Sequence, residues 1–229
     1  MSRQKLPIVL ERTEIDALLR IPNTGCPSGL RNRAILQTMY GAGLRVSEVT
    51  KLRPGDIRWE DGVLEIRGGK GGKDRIIPVD SETTGWLRAW DAERPRSGKR
   101  FFTTLKGGSI SSRYLQMMVK RLARKANLAK ADAVTPHVLR HSYATHLLDD
   151  GFSIREVQTL LGHSNISTTE IYLHVNPQKI GEKVRNRGKS LDAQRNLTKL
   201  AEELSDLPTE VRDALVEILK PSTHGSARP

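Results

Sequence analysis

A chain of 229 residues, 37% of them hydrophobic, is long enough for one substantial core or for one large and one small domain. Thirty-eight lysines and arginines against 26 aspartates and glutamates leave a net charge of +12 and a pI near 10.1, so a polyanion is the expected partner, nucleic acid ahead of an anionic membrane surface. Cys26 stands alone, which excludes an internal disulfide and any multi-cysteine metal site; no apolar run is long enough to span a bilayer, and MSRQKLPIVLERTE has no secretory pattern, so a cytoplasmic protein is expected.

In chain order, short helices are predicted at 13–20, 29–40 and 46–52. In the second, Leu30, Ala34, Ile35, Leu36 and Met39 form an apolar face. The glycines of GAGLR, 41–45, interrupt the helical pattern with a tight turn that aims Arg45. PGDI is a turn leading into a compact sheet: residues 63–67 alternate, GGKGGK makes a glycine-rich tip, and RIIPV, 75–79, returns as a strand. This predicts a basic hairpin or a small three-stranded sheet. Helices resume at about 81–94 and 111–126, with exposed turns at PRSGKR, 95–100, and TLKGGS, 104–109. Trp86 and Trp90, four apart, pack the first of these against the body. TPHVLRHSYATH, 135–146, opens another helix, with Thr135 as N-cap and Pro136 at the first position. REVQTLLG, 155–162, is a short helix ended by glycine, and STTEIYLHV, 167–175, reads as one more. The fold class is therefore mainly α with a small antiparallel β-sheet, an α+β arrangement.

The charge is unevenly spread. Residues 191–229 hold five basic and seven acidic side chains, net −2, and residues 1–190 carry +14. Arg185 to Ser190 reads as a polar joint. Beyond it, Leu197, Leu200 and Leu204 line one helical face and Val211, Leu215 and Ile218 another; these helices either cap their own domain or pack on a neighbouring subunit. The expected division is a main domain at 1–184, a helical extension at 185–220 and a disordered tail at 221–229.

His137 and Arg140 share one side of a helix start, and His141 lies four beyond His137. A zinc site of the HExxH kind would need a glutamate that is missing here, and an arginine between two ligands disfavours a bound cation, so no metal is expected. Taken singly, these residues read as ordinary surface or packing groups, as His141, His146, Tyr40 and Tyr143 are expected to be. Asp149 and Asp150 are adjacent, and read as a solvated helix end rather than a metal-binding pair.

The ordered set is more specific than its parts. Arg45 in GLRVSEV, Lys70 in the GKG turn, His137 and Arg140 in TPHVLRHSYATHLL, His163 in LLGHS and Tyr172 in TTEIYLHV together resemble the catalytic domain of the tyrosine recombinase family, which includes phage integrases and chromosome-dimer-resolving recombinases. The likeness covers about residues 8 to 180. It implies a DNA breaking-rejoining fold and a site in which Arg45 and Arg140 grip the nonbridging oxygens of a phosphodiester and His163 adds a third donor. Tyr172 would be the nucleophile and His137 the group that accepts its proton. Spacing leaves Lys70 and Lys73 equally placed as general acid for the leaving 5′-hydroxyl; the resemblance favours Lys70. Glu48 would brace Arg45, and Lys73 and Arg75 would contact DNA phosphate. The implied product is a 3′-phosphotyrosyl link, formed without ATP, metal or other cofactor.

The implied partners are double-stranded DNA with paired or inverted recombination sites and further copies of the chain, as a tetramer on DNA. A topoisomerase-like relaxer and a DNA-binding module without recombination are the alternatives. Most members carry an additional N-terminal helical domain, for which this sequence leaves no room. The chain is thus expected to be either a small recombinase like the fimbrial phase-variation inverters or a catalytic fragment.

Overall fold

The computed structural model describes residues 8–67, 74–162 and 180–189. The chain divides into two compact units, Met1–Gly188 and Lys189–Pro229; of the second, only Lys189 is among the described residues. The expected glycine-rich tip at 68–73, the helix at 167–175 and everything expected beyond 189 lie outside them.

Helices dominate: α1 Arg12–Arg20, α2 Pro27–Gly41, α3 Val46–Lys51, α4 Ser81–Glu93, α5 Ser112–Lys125, α6 Pro136–Asp149 and α7 Ile154–Leu161, with a further helix, α8, at 180–189. A three-stranded antiparallel sheet, β1 Ile57–Arg58, β2 Val63–Ile66 and β3 Arg75–Pro78, follows the short 3-10 turn Pro54–Asp56. Leu64 pairs with Ile57 on one side and Ile77 on the other, and all three are buried, so the inward positions of the strands coincide in register. Ile66 pairs with Arg75, the last pair before the 68–73 turn.

The predicted apolar face on α2 understates its burial. Gly29 and every residue from Arg31 to Gly41 are buried, because α1, α3, α4 and α6 all pack against this one helix; Leu30, expected in the core, is only partly covered. The polar residues that a simple face would expose are instead partnered inside. Arg31 donates to Thr103 O and to the Tyr114 hydroxyl, Arg33 pairs with Glu82 at 2.9 Å, and Gln37 Nε2 donates to Thr83 Oγ1. Leu36 and Met39 of α2 join Trp90, Phe101, Phe102 and Tyr143 in the core, all essentially solvent-free; each fully buried Leu or Phe contributes about 1.5–3 kcal/mol. Trp90 also donates its indole N–H to Phe101 O at 3.1 Å, while Trp86 is half-buried under the Arg33 guanidinium.

Two expectations need correcting. The polar joint at Arg185–Ser190 is helix through 189, and Arg187 and Gly188 are buried. Asp150 is not merely a solvated end: it accepts from Arg12 at 2.7 Å and from Arg187 Nε at 2.5 Å. The stretch looks like a linker in sequence because its inward residues are arginine and glycine. Arginine can go inside because Asp150 receives it and its guanidinium lies over the Tyr143 ring, and glycine lets the backbone of α8 approach Asp80.

Candidate active site

α2 ends at Gly41, and the chain must turn within four residues to begin α3. Gly43 makes that turn with φ +59°, and a Cβ there would sit 2.6 Å from Tyr143 Cδ1 and 2.8 Å from Leu161 Cδ2. Both the left-handed conformation and the close approach require glycine. The turn delivers Arg45 to the N-cap of α3, where its backbone N–H donates to Glu48 Oε2 at 2.7 Å and its guanidinium to Glu48 Oε1 at 3.0 Å.

Glu48 is the hub. Arg75, at the start of β3, grips the same carboxylate with both terminal nitrogens, at 2.8 and 2.9 Å. Burial alone would raise the Glu48 carboxyl, but the Arg75 hydrogen bonds, the Arg45 amide and the two guanidinium charges outweigh it and hold the group below its usual range. Glu48 therefore stays ionised and fixes both Arg45, from its own helix, and Arg75, 27 residues beyond it in sequence.

Arg140 arrives from the other side. Thr135 caps α6 by accepting from the Val138 amide, and Arg140, in the second turn, is 7% exposed. Its guanidinium donates to two carbonyls, Gly43 O at 2.5 Å and Leu161 O at 2.6 Å, and has no carboxylate partner among the described residues. Burial, then the nearby Arg45, lowers its pKa from the ordinary arginine value to about 10. Three guanidiniums thus surround a single carboxylate, a standing excess of positive charge in a partly dry setting.

Gly162 ends α7 in the left-handed conformation, and a Cβ there would fall 2.7 Å from Arg75 Cδ. Leu161 O on Arg140 and Gly162 on Arg75 bring the chain to the arginine cluster one residue before His163. The expected site residues thus divide. Arg45, Glu48, Arg75 and Arg140 converge, and His137 is exposed on the first turn of α6, three residues before Arg140. Lys70, Lys73, His163 and Tyr172 lie outside the described residues. Sequence reasoning had Arg75 as an outer phosphate contact and gave no hint of its grip on Glu48; nothing local marks a pair 27 residues apart. It also missed Gly162 as the surface against which Arg75 lies. His146, expected to be structural or at the surface, is buried and bonded through Nδ1 to the Tyr40 hydroxyl at 2.8 Å. Among the described residues no His, Cys, Asp and Glu side chains cluster as a metal site would require.

Three guanidiniums beside one carboxylate leave net positive charge in the cluster, a setting whose chemistry suits an oxyanion. Residues 9–179 match the phage integrase family, and the chain belongs to that family. Among curated relatives, it is 39% identical to the tyrosine recombinase XerD of Ralstonia nicotianae, over 77% of this chain and 58% of that protein. It is 42% identical to the tyrosine recombinase XerC of Xanthomonas campestris pv. campestris, over 78% and 55%. The chain therefore spans a little over half the length of these relatives. Of solved structures, the XerA recombinase superposes with a TM-score of 0.63 at 28% identity, covering 80% of this chain and 64% of that one. The XerH site-specific recombinase bound to difH substrate in a pre-cleavage complex superposes with a TM-score of 0.61 at 28% identity, covering 76% and 52%.

Proposed function

We propose that the chain cleaves and rejoins DNA at specific sites through a covalent phosphotyrosyl intermediate. The carrying observation is Arg140: a buried guanidinium beside Arg45, held among the described residues by backbone carbonyls and no carboxylate, has donors and charge for an anionic ligand. Arg45 and Arg140 take the nonbridging oxygens of the scissile phosphate, where charge grows as phosphorus is attacked; preorganised donors of this kind are worth roughly 3–4 kcal/mol each. Glu48 keeps Arg45 and Arg75 in place at no cost in motion. His163 adds a donor, and His137 accepts the Tyr172 proton and returns it on rejoining. Tyr172 Oη displaces the 5′-oxygen of deoxyribose and Lys70 protonates that leaving oxygen, giving a 3′-phosphotyrosyl ester and a 5′-hydroxyl. The ester conserves the bond energy, so resealing by another strand's hydroxyl needs no ATP. Lys73 and Arg75 add positive charge near the phosphate. The similarity to recombinases named XerC, XerD and XerH, one of them bound to its difH substrate, supports this reading.

Strand exchange between two paired or inverted sites requires several active centres, so the working form is a tetramer on DNA, acting at the nucleoid in the cytoplasm. No described helix is long and apolar enough to cross a membrane. Incubation with nicked duplexes carrying a candidate repeat tests the proposal. An adduct at one position, lost in Tyr172→Phe, is the expected result. Relaxation of arbitrary supercoils without sequence preference, or binding with no adduct, overturns it.

A further inference from the structure

A second cationic feature lies away from the arginine cluster. The loop 95–100 and the turn 104–108 enclose a groove of about 730 Å³ lined in part by Arg53, Lys99, Arg100 and Thr103. Arg53 and Arg100 also line an adjoining hollow of about 290 Å³ together with Lys51, Asp56 and Arg67, so the two form one trough. Asp56 is its single lining carboxylate, and that group is already taken by Arg67 Nε at 3.1 Å and by the Arg53 backbone amide at 2.9 Å. Lys51, Arg53 and Lys99 have no carboxylate partner among the described residues, and Arg100 donates to Lys51 O at 2.7 Å.

The walls are built rather than loose. Trp90 holds Phe101 O, Leu52 O accepts from the Phe101 amide at 2.7 Å, and Arg31 holds Thr103 O at 3.2 Å. Glycine permits the contact between loop and turn: a Cβ on Gly98 would meet Thr103 Cγ2 at 2.5 Å, and one on Gly107, at φ +83°, would meet Ser97 Oγ at 2.4 Å. Thr103, 1% exposed, keeps its Oγ1 without a hydrogen-bond partner. A fixed trough lined by five cations, of which only Arg67 has a carboxylate partner among the described residues, suits a polyanion.

Its place in the fold says which one. α3 begins at Arg45 in the site and ends at Lys51 in the trough, a run of about 9 Å of helix. Arg67 follows Ile66, the β2 partner of Arg75. The trough and the arginine cluster thus sit at the two ends of one short helix, within reach of neighbouring phosphates spaced about 3.4 Å apart along a strand. We propose that the trough is a second anchor for the same DNA duplex, taking flanking phosphates and fixing the register of the scissile one. The inference rests on the DNA-cleaving reading above.

The test is duplex binding by fluorescence anisotropy across a salt series, with Arg53→Ala, Lys99→Ala and, as a control on α1, Arg20→Ala. Each trough variant should lower the slope of log affinity against log salt by about 0.9, uniformly over DNA sequences, and the control should leave it unchanged. Cutting back the duplex on one flank should remove the difference between wild type and variants. Unchanged slopes on the full duplex would overturn the proposal, as would losses that persist after either flank is cut back. Adduct formation tests cleavage separately: a wild type that shows the slope losses but forms no adduct fails the cleavage reading alone and leaves the DNA anchor standing.

Discussion

Two buried arginines, Arg140 on α6 and Arg187 on α8, are equally hidden from solvent, each 7% exposed, yet they are driven in opposite directions. Arg187 loses hydration on burial, but the Tyr143 and Tyr40 hydroxyls and then Asp150 more than offset this, and its pKa rises. Arg140 loses hydration too, has Arg45 and Arg75 for neighbours, and drops to about 10. The first is a closed ion pair that ties α8 to the body. The second is an open cation whose hydrogen-bond partners among the described residues are carbonyls. Burial alone says little about function; the presence or absence of a counter-charge separates a structural arginine from one that awaits a ligand.

Several substitutions would break or sharpen that contrast. Arg140→Met should slow adduct formation on nicked duplex by about 10²–10³-fold. Inorganic phosphate should raise the Tm of the wild type by binding the folded state, and Arg140→Met should diminish that rise. If phosphate raises the variant's Tm as much as it does the wild type's, Arg140 is not the open cation. Gly43→Ala meets both a positive φ and the Tyr143 ring, and should lower stability by about 3 kcal/mol in urea unfolding while also misplacing Arg45. Arg187→Met should cost about 2 kcal/mol, since Asp150 retains Arg12, yet keep the phosphate effect on Tm intact.

Glu48→Gln should cost about 2 kcal/mol at neutral pH. The pH dependence has a definite sign. The folded Glu48 carboxyl lies below its unfolded value of about 4.3, so its contribution is complete above that pH and is lost as pH falls through the lower folded value. The gap between wild type and Glu48→Gln should therefore be constant from pH 7 down to about 4.3 and narrow below it; a gap that widens in acid would contradict the assignment. Smallest of all, Asp132→Asn removes an exposed partner of Arg124 and Lys120 and should leave the Tm where it was.

Much of the helical outline could be read in advance because it rests on local chemistry. Thr135 and Pro136 announce α6, Gly162 closes α7, and the alternation of 63–67 with the 75–79 run calls for paired strands. The central position of α2 could not be read, since Arg31, Arg33 and Gln37 look like a solvent face until Thr103, Glu82 and Thr83 are brought to them. For the same reason Arg187 and Gly188 resembled a linker. In the site, the types and order of Arg45, Glu48 and Arg140 were visible, but the shared grip of Arg45 and Arg75 on one carboxylate was not.

By itself the sequence determined which chemical groups are present, their order, and the local turns and caps that present them, because those depend on neighbours within a few residues. Tertiary structure alone decided which charges were neutralised and which were left open. That depends on distances between segments far apart in the chain, as Glu48 with Arg75 and Arg140 with Gly43 and Leu161 demonstrate, and electrostatic energy inside a protein follows distance and burial rather than position in sequence.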